Sequence, residues 1–334
     1  MRAKSDDPPP PSPGIRIPNF GRYRSVWLVT LLLLLAALLA FEPSLAPASR
    51  APRPLSPSRA AALHAAGTAA AATLLQPDSI AGVYVVYRRP KAFLSAALSF
   101  RTAYPESSLY IVCDAGCYDY RRVAAGLRAT WLGPLRLTIK NGRMFMSTDE
   151  CMALFDVWRK VLEGTREPFF MHIEDDVRVI QRVASPLPWD INGAVDFAVM
   201  HPPVEAWIKA RNAAPRGEAL YGKLPLGGMG GAIFRSAFWR EHLARPGLRE
   251  EVDSLIRATE TKNIDAIVSA LTYTWNGTVG FFEGYGAGWS PQMGKSMYEG
   301  RLEVEHDYKL YYNYNLTAED EEALGPGWAT PLEP

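Results

Sequence analysis

Phe169-Phe170-Met171-His172-Ile173-Glu174-Asp175-Asp176-Val177 is the stretch on which the reading of this chain turns. Residues 169–173 are an apolar run of strand length, the kind of segment required by a sheet covered on both faces. Three acids follow at once. In an open parallel sheet, ligands bind beyond the carboxyl ends of the strands, so Glu174, Asp175 and Asp176 fall where a site is expected. If the backbone stays extended, Glu174 and Asp176 point to one side and Asp175 to the other. An acid-x-acid pair on one face suits a hard divalent cation that keeps positions open for further oxygen ligands. Without a cation the three carboxylates repel one another, and burial raises their pKa values. A solvated turn or helix start is the competing account of the same triplet.

Working outward, the residues before this run alternate between strand and helix. Residues 83–87 form a β-branched and aromatic run expected to be a buried strand, and residues 91–104 a helix that stops at Pro105. A second strand at 109–113 ends at Asp114-Ala115-Gly116; a short helix at 120–127 and a third strand near 135–139 follow. Ser147 and Glu150 make a capping box, after which Cys151, Leu154, Phe155, Trp158, Val161 and Leu162 recur at helical spacing until Gly164. This β-α-β-α-β-α-β order predicts an α/β fold with a mainly parallel central sheet flanked by helices. The later half reads less regularly: a strand at 197–200, a loop through Pro202-Pro203, a glycine-rich segment at 226–234, a helix at 264–273 and a tail rich in Tyr and Trp.

The chain of 334 residues is 48% hydrophobic, enough for a substantial core, and its 36 Lys and Arg nearly balance 35 Asp and Glu. No global field therefore favours nucleic acid. Three cysteines are too few to frame a fold with disulfides, and a Cys113–Cys117 bridge stays an open question. Residues 26–41 are uncharged and apolar, preceded by Arg2, Lys4, Arg16, Arg22 and Arg24. That pattern predicts a signal anchor, with residues 1–25 as a cytoplasmic tail and the remainder in the lumen. Residues 42–78, rich in Ala and Pro, read as a stem. Asn276-Gly277-Thr278 and Asn315-Leu316-Thr317 are acceptor sequons consistent with a single-pass type II protein of the Golgi or ER membrane. The globular region is expected at 79–325, in two parts, 79–180 and 181–325.

Anchor, Pro-rich stem, α/β first half and the Glu-Asp-Asp after a buried strand together resemble the GT-A superfamily of nucleotide-sugar glycosyltransferases. The layout matches over roughly residues 80–310, and the acidic motif is the specific match; that family more often carries Asp-x-Asp. The resemblance implies hexosyl or N-acetylhexosaminyl transfer to a glycan or glycoprotein acceptor, with Mn2+ or Mg2+ and a nucleotide sugar, most often a UDP-sugar. It implies Asp176 as the direct metal ligand, and Glu174 and Asp175 near the ribose or sugar. Glu174 also counts as a metal candidate. In the family the cation neutralises a departing diphosphate.

Several other positions are candidates. Tyr87, Arg88 and Arg89 end the first strand, where the arginines either meet a diphosphate or are simply solvated. Asp114 resembles the acid that touches base or ribose, although a turn explains it too. In Leu226-Gly227-Gly228-Met229-Gly230-Gly231-Ala232 a dinucleotide fingerprint fails, because Ile233 stands where its last Gly is needed. By resemblance Gly228 and Gly230 line the donor sugar; a bulged edge strand is the alternative. Asp265, in the first turn of a helix, is the candidate base for an acceptor hydroxyl, ahead of Glu260 and Glu283, although the helix dipole favours an acid there anyway. His306 is a late-chain candidate for a metal or diphosphate contact, with Lys309 beside it. Trp275, Trp289 and Tyr285 could stack on sugars or fill a core. A lectin-like module without chemistry would use the same residue types, whereas a hydrolase motif of the G-x-S-x-G or H-E-x-x-H kind is absent.

Overall fold

The structure, a computed structural model, describes residues 79–86, 90–113, 118–134, 147–212, 214–217, 222–227, 230–287, 299–306 and 330–331. They belong to one compact unit, Ser56–Pro334. The expected tail, anchor and stem lie outside the described residues. Among the described residues no helix is long and apolar enough to cross a membrane.

Strands β1 (Ile80–Val86), β2 (Leu109–Cys113), β4 (Thr130–Pro134) and β5 (Phe169–Ile173) pair in parallel, in the spatial order β4-β2-β1-β5. Helices α1 (Pro90–Ala103), α2 (Arg121–Gly126) and α3 (Thr148–Gly164) connect them. β3 (Tyr118–Asp119) lies outside this sheet. The predicted α/β alternation is therefore present, with β4 as its third parallel strand; the strand expected near 135–139 lies outside the described residues. Pro134 closes β4 at the sheet edge, where a missing N–H costs no ladder bond.

The same sheet continues into the second half of the chain. β10 (Ile233–Arg235) runs antiparallel between β5 and β7 (Ile191–Val199), and β11 (Thr278–Phe281) and β8 (Arg216–Gly217) follow in parallel. β9 (Pro225–Gly227) pairs antiparallel with β7. β7 is longer than the strand expected at 197–200. Its start was masked by Gly193, which the fold needs bare: a Cβ there would lie 2.8 Å from the Ala232 Cβ. The expected loop at Pro202-Pro203 is instead the start of helix α4 (Pro202–Arg211). Proline is compatible with the first turn of a helix, whose N–H groups have no intrahelical partner. Helices α5 (Ser236–Leu243), α6 (Leu248–Thr259) and α7 (Ile264–Thr274) complete this half.

β1 shows why the sheet is covered on both faces. Ala81 and Val83 join the core under α3, α5, α6 and α7, while Ile80, Tyr84 and Val86 join the core under α1 and α2. Gly82 allows α1 to close on the strand, since a Cβ there would meet Leu109 and Phe100 side chains at 2.8 Å. α3 begins at the capping box foreseen from sequence, with Glu150 N–H donating to Ser147 Oγ and Ser147 N–H to the Glu150 carboxylate. Its Trp158 is fully buried amid Phe170, Phe234 and Trp239, with ring centroids 5.3, 4.9 and 5.0 Å away. Trp275 belongs to this core as well, beside Trp239 at 5.6 Å, which excludes the sugar-stacking role considered for it. Cys113 is disulfide-bonded, and Cys151 is a buried thiol outside any disulfide.

Trp158→Ala removes a fully buried indole ring from the centre of this cluster and is expected to cost about 3–5 kcal/mol. Urea unfolding followed by circular dichroism reads the loss; a cost under about 1 kcal/mol would contradict the packing described.

Candidate functional site

The four parallel strands define where a site can form. Chain order runs outward from β1 to β2 to β4 and then returns through α3 to β5 on the other side of β1. At such a reversal the loops at the carboxyl ends of β1 and β5 part in opposite directions and leave a crevice. The register Tyr84↔Ile173 puts Glu174 at that edge.

All five residues of β5 are buried, and the acids follow in a tight turn closed by Val177 N–H donating to Glu174 O at 3.2 Å. The chain then enters β6 (Val177–Val179), antiparallel to β13 (Val304–His306), which is in turn parallel to β12 (Tyr285–Ala287). This small sheet places His306 opposite Val177 and so beside the turn. The Glu303 carboxylate fastens β13 to the chain beyond β6, accepting the N–H groups of Ala184 and Ser185 at 2.8 and 3.0 Å.

Glu174, Asp176 and His306 converge: one ligand atom from each lies within 4.8 Å of the others. His306 Nε2 is 3.4 Å from Asp176 Oδ1. At that distance the contact is an ion pair rather than a well-formed hydrogen bond, and the buried Asp176 Oδ1 finds no hydrogen-bond donor. Asp175 takes the other direction. It is buried, and its charge helps raise the Tyr120 hydroxyl pKa behind burial and Tyr118. The split expected for an extended strand thus arises from a turn.

Charge in this pocket is unbalanced. Burial, then the Asp176 charge, pushes the Glu174 carboxyl up to about 8, with Asp265 and Asp175 adding to the effect and His306 opposing it. Burial alone would discharge His306, yet Asp176, Glu174 and Asp265 together raise its pKa above the ordinary histidine value. Asp265 therefore lies within electrostatic reach of the trio. It stands in the first turn of α7, which Asn263 caps by accepting the Ala266 N–H at 3.2 Å. Three carboxylates face one imidazole.

Two further residues shape the site: His172, which sequence reasoning missed, and Tyr285, which it considered as a sugar-stacking aromatic. His172 is buried beneath Glu174, 4.0 Å from Nε2 to Oε1, against Trp158. Burial pushes its pKa down to about 3, so it is neutral and adds no counter-charge. A polar residue in an otherwise apolar strand was its signal. Tyr285 is fully buried rather than open to a sugar face; its hydroxyl is 2.6 Å from Gly230 O and 3.3 Å from His306 Nδ1. Gly230 abuts the His306 ring, where a Cβ would lie 2.5 Å from Cε1.

The structure thus brings together Glu174, Asp176, His306, Gly230 and Asp265. Glu260 and Glu283 are exposed, and Glu283 pairs with Arg301. Tyr87, Arg88, Arg89, Asp114, Gly228, Trp289, Lys309 and the Asn315 sequon lie outside the described residues.

Two carboxylates and an imidazole suit a divalent metal such as Mn2+ or Mg2+. The undonated Asp176 Oδ1 and the excess negative charge fit the same occupant.

No family model matches the chain, and no curated protein matches it. Among solved structures, an active-site mutant of LgtC is similar at TM-score 0.44 and 16% identity, over 68% of this chain and 87% of its own. The galactosyltransferase LgtC in complex with donor and acceptor sugar analogues is similar at 0.42 and 14%, with the same coverage. The glycosyltransferase GlyE of Streptococcus pneumoniae TIGR4 is similar at 0.34 and 10%, over 61% of this chain and 45% of its own. A likeness at this level transfers no residue role.

In the cation-free protein Glu174 and His306 hold protons more tightly than the unfolded chain does. The folded state then binds more protons than the unfolded state, from the ordinary carboxylate range up to about 8, the value for Glu174. This contribution to stability is complete below that window and is lost as pH rises through it. Thermal unfolding should show Tm falling across it, a shallower fall in Glu174→Gln, and greater stabilisation by Mn2+ at its upper end. Equal pH profiles for wild type and Glu174→Gln would refute the buried-charge account.

Proposed function

We propose that this protein is a metal-dependent glycosyltransferase. In this reading it moves a hexosyl or N-acetylhexosaminyl group from a nucleotide sugar, a UDP-sugar, to a glycan or glycoprotein acceptor. The observation that supports it best is the convergence of Glu174, Asp176 and His306 at the carboxyl end of β5, beside the strand-order reversal. We further propose that residues 26–41 anchor the chain as a type II protein of the Golgi or ER membrane, with the site in the lumen. The apolar run, its basic flank and the two sequons support that placement.

Asp176, Glu174 and His306 would hold the cation, which when bound supplies positive charge against a departing diphosphate. Asp176 is buried and Glu174 and His306 are partly buried, which limits screening of that charge by water. Asp265 takes the proton of the acceptor hydroxyl, and its position at the start of α7 favours the ionised form a base needs. Asp175, buried and outside the trio, is the acid this reading assigns to the ribose or sugar of the donor. Gly230 brings bare backbone to the trio's edge, as a close-fitting donor pocket requires.

The purified full-length protein, incubated with Mn2+ and a panel of nucleotide sugars, should release nucleotide diphosphate from a UDP-sugar. Asp176→Asn and His306→Ala should each lower turnover by about 100-fold or more. Wild-type turnover in Asp176→Asn would remove the metal assignment. Asp265→Asn should reduce transfer by about 100- to 10,000-fold while nucleotide binding persists; normal turnover there would exclude Asp265 as the base.

A further inference from the structure

We infer that Tyr285 is a positioning residue that fixes the tautomer of His306, so that the Nε2 lone pair faces the cation. The inference rests on the metal reading above and assigns a role to a residue that touches neither cation nor sugar.

The argument begins with proton counting. Tyr285 is fully buried, and its hydroxyl carries one proton. Gly230 O, a carbonyl, can only accept, and it lies 2.6 Å from that hydroxyl. The proton is therefore committed to Gly230. The hydroxyl oxygen is left as an acceptor, and the atom facing it at 3.3 Å is His306 Nδ1. A nitrogen that meets an acceptor must carry hydrogen. In neutral His306 that leaves Nε2 bare, on the edge of the ring that faces Asp176 Oδ1 at 3.4 Å. A cation between Asp176 and Glu174 needs that lone pair.

Sterics set the ring in place. Gly230 packs so closely on His306 that a Cβ there would stand 2.5 Å from Cε1 and 2.8 Å from Nε2. Gly231, at φ +83°, turns the backbone so that the Gly230 carbonyl meets Tyr285, and a Cβ on Gly231 would strike Val304, Tyr285 and Val177 at about 3 Å. The β12–β13 pairing, Tyr285↔Val304 and Ala287↔His306, holds the strand of Tyr285 and the strand of His306 in register. Hydrogen bonds of this kind to the far nitrogen of a ligating histidine tune metal affinity by about 10- to 100-fold.

The test is Mn2+ binding to the full-length protein by isothermal titration calorimetry, without any sugar donor. Tyr285→Phe should bind Mn2+ about 10- to 100-fold more weakly than wild type. In a His306→Ala background the same substitution should change affinity by less than about twofold, because the ring it orients is gone. Tyr273→Phe serves as the structural control: it loses a comparable buried bond, hydroxyl to Pro225 O at 2.8 Å, and should leave Mn2+ affinity unchanged. If Tyr285→Phe fails to fold, Gly230→Ala, which displaces the same ring, should show a matching loss. Wild-type affinity in Tyr285→Phe overturns this inference and leaves the metal reading intact. Absence of Mn2+ binding by wild type overturns both.

Discussion

Like charges crowded into a buried turn constrain everything else in this molecule. β5 is sealed on both faces, so the chain emerges from it with little water for Asp175 and Asp176 and only part of the usual water for Glu174. Their repulsion has three outlets: divergence of side chains, protonation, or a counter-charge. The structure uses all three. Asp175 lies within electrostatic reach of Tyr120, the Glu174 pKa rises to about 8, and His306 stands against Asp176 with its own pKa raised.

The fold around the turn is arranged to supply that counter-charge from far along the sequence. β6 follows the acids at once and reverses to pair with β13, some 130 residues later, and this pairing sets His306 beside Asp176. Neither the parallel half nor the later half alone contains the site. The nine-stranded sheet positions the acids and α7, while the three-stranded sheet positions His306 and Tyr285. Glu303, just before β13, accepts the backbone N–H groups of Ala184 and Ser185 in the segment that leads from β6 to β7.

What could be read from the sequence followed from local physics. The apolar runs at β1, β2 and β5 and the Ser147–Glu150 cap are short-range patterns, and each element lies at or near the expected place. Pro202-Pro203 misled because proline both ends helices and starts them, and only tertiary context decides between the two. Gly193 hid the start of β7 because its cause, the nearness of Ala232, is nonlocal. The acids could be picked out from their position after a strand, and Asp265 from its place after Asn263. The neighbours of His306 could not. That Tyr285 and Gly230 clasp its ring depends on a parallel pairing of two three-residue strands with no periodicity of their own. Trp275 failed as a sugar platform for a related reason: an aromatic's role depends on which face of its element meets the core, and here that face meets Trp239 and His242.

The balance of charge also determines how the proposed site must work. With three carboxylates and one imidazole, the cation-free pocket is compensated by protons on Glu174 and His306. Both groups are proposed ligands, and both must be deprotonated to serve. Cation entry is then an exchange, protons out and metal in, rather than filling of a waiting negative hole. His172 cannot buffer that exchange, because burial keeps it neutral. Tyr285 lowers its cost, because His306 loses the Nε2 proton, the one facing the incoming cation, and keeps the Nδ1 proton that bonds to the hydroxyl. The ring therefore need not turn or trade partners as the cation arrives. Trading two protons for one divalent cation leaves the net charge of the pocket unchanged.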